Sequence, residues 1–128
     1  MTTWESGRES TLLDDIIAGR KTIEGRLNRG KFAEYRPGDR VWLRRDYRDE
    51  NGTLRNGESH QVLVEVLAVR KYKNSFDMVT SEEYTRVMPR ASNAEEAADG
   101  YDLYYSPEDQ ATYGVLAIEF KVLRTPNN

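Results

Sequence analysis

The sequence predicts an α+β fold in a single domain, on three observations. Leu12, Leu13, Ile16 and Ile17 stand at i, i+1, i+4 and i+5 within residues 10–18, the apolar stripe of an amphipathic helix. Two segments, HQVLVEVLAVRKY at 60–72 and YGVLAIEFKVL at 113–123, carry the alternation and β-branched content of strands. Between them lie capping signatures of short helices. A length of 128 residues suits one domain that buries about two-thirds of the surface its unfolded chain exposes.

Each element follows from its residues. Ser10 occupies an N-cap position for the first helix, and Gly19 stands where a left-handed C-terminal cap is needed. A short strand over 22–27 sends Ile23 and Leu27 to one face with Gly25 between them. Thr22, Glu24 and Arg26 point to the other face. KFAEY reads as a helical turn, closed by the RPGDR turn at 36–40. RVWLRR is a strand with Val41 and Leu43 on one side and Trp42 opposite. Residues 46–59 are polar and aperiodic, which predicts a long hairpin loop. The strand at 60–72 puts Val62, Val64, Val66 and Ala68 on one face. Phe76 and Met78 are expected to anchor a short helix to the core. Thr80–Glu83 and Ser92–Glu95 fit capping boxes, with Pro89 between them, and Ser106-Pro107 with Asp109 predicts one more helical turn. The last strand is expected to pack through Leu116, Ile118, Phe120 and Val122.

Composition excludes several function classes. There is no cysteine, hence no disulfide, thiolate metal site or cysteine nucleophile. With His60 as the one histidine, the usual zinc constellations are missing, and neither metal nor cofactor is expected. No run of 18 apolar residues occurs, and MTTWESGRES lacks the pattern of a secretory signal, so a cytoplasmic, non-membrane protein is expected. The net charge of −3 is unevenly spread. Residues 19–45 hold nine Lys/Arg against three acidic residues, a balance of 9 − 3 = +6. Residues 91–110 hold six acidic residues and no basic one. The basic segment is either a footprint for a phosphate-bearing partner, or it and the acidic segment neutralise each other within the fold.

The segments AGRKTIEGRL, PGDRVWL, YKNSF and YGVLAIEFKV together resemble the ASCH family, small relatives of PUA-type RNA-binding domains, from about residue 12 to residue 123. The G-x-K-T-x-E-x-R pattern at 19–26 is the most specific part of that likeness. The resemblance implies a PUA-like β-barrel of about five to six strands with short surrounding helices. It also implies a cleft beside the GxKxxExR segment that binds RNA, a nucleotide or a modified base. On the residues themselves, Lys21 and Arg26 supply donors for a phosphate or carbonyl. Glu24 either holds a cation or accepts from a base edge. The competing reading is a solvated strand face, whose Glu24–Arg26 pair is worth under about 1 kcal/mol. Tyr72, Ser75 and Phe76 match the family's Tyr-x-x-Ser-Phe segment. Tyr105, in a group with Tyr101, Tyr104 and Tyr113, is a further candidate for the cleft wall. His60, after a polar loop, is expected at the surface.

The alternative to a binding module is a hydrolase in the same cleft. Some ASCH proteins that resemble this chain hydrolyse acetylated cytidine with a threonine three residues after the lysine. Glu24 stands at that position here. The catalytic candidates are then Lys21 and Glu24, with Thr22 on the same strand face, displaced by about 6–7 Å. A ribonuclease would draw on Lys21, Tyr72 and Ser75. The partner expected is RNA or a modified nucleoside or nucleotide, and the protein a monomer or weak homodimer. A third reading makes the acidic segment 91–110 an adaptor surface for a basic partner.

Overall fold

The computed structural model describes residues 1–126. Its elements run β1 (Thr3–Glu9), α1 (Ser10–Ile17), β2 (Ile23–Leu27), a 3₁₀ turn (Gly30–Glu34), β3 (Arg40–Arg48) and β4 (Leu54–Tyr72). Four short helices follow, α2 (Ser75–Ser81), α3 (Tyr84–Val87), α4 (Ala94–Asp102) and α5 (Pro107–Tyr113), before β5 (Val115–Arg124). The strands form one sheet in the order β1-β3-β4-β5-β2. Only the β1–β3 pairing is parallel. Register shifts interrupt β3–β4 after Leu43 and β4–β5 after Leu63 and Val66. Such bulges bend the strand that carries them and increase its twist. The sheet curls into a half-barrel, a PUA-like α+β fold as the resemblance implies.

Two cores sit on the two faces of this sheet. Inside the curl, Leu13 and Ile16 of α1 pack on Val41, Leu43, Val62, Val64, Val66, Leu116, Ile118 and Phe120. Outside it, Ile23, Leu27, Val115 and Ala117 meet Met78, Val79, Val87, Ala97, Ala98 and Tyr101 of the helices. β5 is therefore buried on both faces from Val115 to Ile118, where alternation predicts one packed face. That explains the unbroken apolar run VLAI, since a strand covered on both sides has no polar row. Gly25 is where the outer core comes closest to β2. A Cβ there would lie 2.7 Å from Met78 Cε and 2.8 Å from Tyr101 Cζ.

Several local expectations are corrected. The segment 46–59 is mostly strand, because β3 and β4 pair out to Arg48 and Leu54 and leave a turn of five residues, 49–53. This arm is largely solvent-exposed, so no apolar row marks its strands. The Asp49 carboxylate closes its turn by accepting from the backbone N–H groups of Asn51 and Thr53. Ser10 is the first helical residue and accepts from Arg45 instead of capping α1. Thr80 lies inside α2, its hydroxyl donating to the Phe76 carbonyl, while Asn74 caps that helix. Asn93, not Ser92, caps α4. Phe76 is 47% exposed, and Met78 with Val79 makes the anchor. Tyr113 belongs to α5, not to the last strand. The strand β1 has no counterpart in the sequence reading. No helix among the described residues is long and apolar enough to cross a membrane.

Gly25→Ala is expected to lower stability by about 1–3 kcal/mol, since the Tyr101 ring beneath β2 has little freedom to retreat. A shift of the urea midpoint at unchanged slope would report it.

Candidate functional site

The outermost strands of the sheet, β1 and β2, make no ladder with each other. A buried ion pair spans the seam between them. Arg8 of β1 places Nε 2.5 Å from Oε2 of Glu24 on β2, and both side chains are 6% exposed. The pair is a close contact without hydrogen-bond alignment, and Arg8 directs its Nη1 donors to Ser6 Oγ at 2.7 Å and the Gly7 carbonyl at 2.6 Å. Lys21 follows the left-handed turn at Gly19 and is fully buried. Its ammonium donates to the carbonyls of Ile23 at 2.9 Å and Val87 at 2.5 Å, and lies 3.7 Å from Glu24 Oε1. Arg26 Nε lies 4.0 Å from the same oxygen and has no hydrogen-bond acceptor. Three cations thus surround one carboxylate, a local charge of 3 − 1 = +2.

This arrangement sets the proton affinities. Burial by itself would raise the Glu24 pKa, but Arg8, then Lys21 and Arg26, hold the carboxyl down at about 2. Burial lowers the Lys21 pKa against the pull of Glu24. For Arg26 burial is the largest influence and acts downward, yet Glu24 together with Tyr105, Tyr101 and Tyr35 outweighs it and the net shift is upward. The Tyr35 hydroxyl is buried without a partner, its pKa raised by loss of solvent. With Arg8 and Glu24 it lines a cavity of about 10 Å³ inside the curl, room for no more than a single water.

Outward of this core, the site becomes accessible. Arg26 is 26% exposed and its guanidinium lies 4.7 Å from the centre of the Phe32 ring. Lys31 Nζ reaches the Glu5 carbonyl at 2.6 Å and lies 5.4 Å from the same ring. Burial, and then the neighbouring charges of Arg8, Arg26 and Arg44, lower its pKa. Tyr105 stacks on Tyr101 at 6.3 Å and is close enough to Arg26 to influence its ionisation.

The sequence candidates divide between surroundings. Lys21, Glu24 and Arg26 share the seam, with Tyr105 near its outer end. Thr22 accepts from Arg86 instead and joins a saturated network on the helix side of the sheet. There Arg70 bridges Glu82 and Glu119, Arg86 holds Glu119, and the Tyr72 hydroxyl donates to Glu82. Ser75 is buried, with its hydroxyl on Asp102. Tyr72 and Ser75 line a groove that shares no residue with the seam cluster. Much of the basic segment is neutralised in the fold by Arg20–Asp15, Arg29–Asp109, Arg44–Asp46 and Arg45–Asp14. His60 is exposed, stacked on Trp42 and in contact with the Glu5 carboxylate. Sequence reasoning missed Arg8, Lys31, Phe32 and Tyr35. Arg8 sits in a strand whose inward row is Trp4, Ser6 and Arg8, which carries no apolar alternation to reveal it. Among the described residues no group of acidic and histidine side chains could hold a metal ion.

A curled five-stranded sheet with helices on its outer face and a basic cluster at its open seam is a PUA-like half-barrel. The chain belongs to the ASCH domain family, whose model matches residues 10–124. It is similar to hypothetical protein PH0355 in its crystal structure, at 30% identity and a TM-score of 0.77, over 94% of this chain and 99% of that one. A Pyrococcus furiosus protein solved by NMR is 31% identical with a TM-score of 0.73, over 95% and 98% of the two chains. The ASCH domain from Lactobacillus crispatus shares the fold at 12% identity and a TM-score of 0.65, over 94% and 79%. No curated protein matches the chain.

Because Glu24 has a folded pKa of about 2 against an ordinary 4.5, its contribution to stability is complete above pH 4.5 and fades as the pH falls toward 2. Glu24→Gln should remove that acid dependence and cost about 3–5 kcal/mol at neutral pH, since Arg8 and Lys21 stay buried without a counter-charge. Urea unfolding at pH 7 and pH 3 measures both effects.

Proposed function

We propose that this protein binds RNA, or a nucleotide unit of RNA, at the mouth of the β1–β2 seam. The observation that carries the reading is the excess of cations over carboxylates there, with the Arg26 side chain 26% exposed while its Nε lies buried without an acceptor. A phosphate accepts from a guanidinium in a paired, planar geometry, and burial strengthens that bond. Arg26 and Lys31 are the groups a phosphate would meet, and Phe32 and Tyr105 offer ring faces on which a base stacks. Arg8, Lys21 and Glu24 act behind them. Lys21 ties β2 to α3 through the Val87 carbonyl, and Glu24 fixes Arg8 and biases Arg26.

Hydrolysis in the same cleft draws less support. A general base works best with a pKa near the operating pH, whereas the Glu24 carboxylate is held at about 2. Lys21 is committed to two carbonyls and Thr22 to Arg86. Acetylcytidine incubated with the purified protein is expected to remain intact. Turnover of order 1 per second or faster would establish the hydrolase instead.

Titration of single-stranded RNA across a salt series tests the binding site. Arg26→Ala and Lys31→Ala should each weaken binding and reduce the slope of log affinity against log salt by about 1. Unchanged affinity and slope in both variants would move the site elsewhere.

A further inference from the structure

A cavity far larger than the one at the seam lies elsewhere. It is a groove of about 1060 Å³ between the end of β4, the start of α2 and the length of α5. Its size matches the upper end of small-ligand sites. We infer that this groove is a second, separate site, and that it takes a guanine nucleotide unit.

Three features converge on that chemistry. Phe76 and Tyr113 line the groove and stay 47% and 36% exposed, although each carries a large ring that folding would normally bury. Phe76 offers a flat apolar face for an aromatic ligand, and Tyr113, whose ring carries Arg29 over one face at 5.3 Å, offers its other face. At the groove's wall the exposed Asp102 is held on one side, where its Oδ1 accepts from Ser75 Oγ at 2.6 Å and Gln110 Nε2 at 2.8 Å. Gln110 is fixed in turn by accepting from the Ser75 backbone N–H at 2.8 Å and donating to the Tyr105 carbonyl at 2.9 Å. These bonds orient the carboxylate and leave Oδ2 without an internal donor. An ionised carboxylate is an acceptor only, so the ligand edge it reads must present donors. Guanine sets an imino and an amino donor side by side, and no other common base does so.

The third feature is the anion end. Lys71 lines the groove, has no carboxylate partner among the described residues, and runs over Gly114. A Cβ on Gly114 would come within 2.6 Å of Lys71 Cε, so the glycine leaves room for that side chain. Lys73 adds a second ammonium, held only by an exposed 3.6 Å pairing with Asp77. Exposed pairs of this kind are weak, and a phosphate competes with them. The two lysines argue against a cationic ligand on Asp102, and the carboxylate argues against a bare polyphosphate. A neutral, donor-edged ring with an anionic tail satisfies both.

The test is titration of GMP, AMP, CMP and UMP into the full chain, followed by calorimetry and by amide NMR shifts. GMP should bind the most tightly and move the amides of Ser75, Phe76, Gln110 and Tyr113. Phe76→Ala and Lys71→Ala, both at exposed side chains, should weaken GMP at the groove by about tenfold or more, while Arg26→Ala leaves the GMP-induced shifts of Phe76 and Tyr113 unchanged. Asp102→Asn should erase the preference for GMP over AMP. A guanosine-containing oligonucleotide that binds the groove more tightly than GMP would identify RNA as the source, and the reverse order a free nucleotide; either supports the site. The inference is overturned if AMP and CMP match GMP, or if Phe76→Ala has no effect. It is equally overturned if the GMP shifts gather at Arg26 and Phe32, a result that would leave the seam reading intact. Loss of RNA binding in Arg26→Ala with GMP binding preserved would separate the two sites.

Discussion

The buried carboxylate of Glu24 is the constraint around which this structure is organised. A curled sheet that does not close into a barrel leaves two strand edges facing each other, and here neither edge satisfies the other through backbone bonds. Arg8 reaches across from β1 and Glu24 meets it from β2. Removing two charges from water is costly, and their attraction offsets that cost only with further partners in place. Those partners are present: Ser6 and the Gly7 carbonyl for Arg8, Lys21 and Arg26 for Glu24. The same set overshoots neutrality. What stabilises the carboxylate leaves the surrounding cations short of a counter-charge, and the outermost of them, Arg26, faces the way out.

The position of β2 follows from this constraint. One of its faces carries Glu24 toward the interior of the curl, and the other lays Ile23, Gly25 and Leu27 against the helices. Gly25 lets Tyr101 approach the strand, and Tyr101 stacks with Tyr105 beside Arg26. The helical layer thereby positions an aromatic surface next to the cluster, although the two belong to opposite faces of the sheet. Lys21 makes the corresponding tie at the other end of the strand, through the Val87 carbonyl of α3. Fold stability and the accessible chemistry of Arg26 share the same few residues.

Elements with strong periodicity were legible from residues alone. The stripe Leu12, Leu13, Ile16, Ile17 became α1, and the runs at 60–72 and 113–123 lie largely within the long strands, the second of which starts only at Val115. What escaped has physical reasons. The β1 strand places Ser6 and Arg8 on its buried row, so its pattern is polar although its position is internal. The β3–β4 arm is exposed and gives no apolar row to read. Of the site, the clustering of Lys21, Glu24 and Arg26 could be inferred from the spacing on one strand. Their burial could not, because it depends on Arg8, a residue sixteen positions earlier (24 − 8) on the far edge of the sheet. Tyr72 and Ser75 sat close to the motif only by analogy, and the fold sends them to the groove behind α5.

The central claim is that the surplus positive charge at the seam is answered by a ligand phosphate through Arg26. Arginine side-chain NMR reads this at the atom concerned. On adding short single-stranded RNA at low salt, the Arg26 guanidinium resonances should move and its Nη–H protons become protected from solvent exchange, as a phosphate pairs with the exposed end of the side chain. The Arg8 resonance should shift less, since its partners are already in place, and Arg55 on the exposed arm should not move. An Arg26 resonance unchanged at saturating RNA, with shifts confined to surface arginines, would contradict the account.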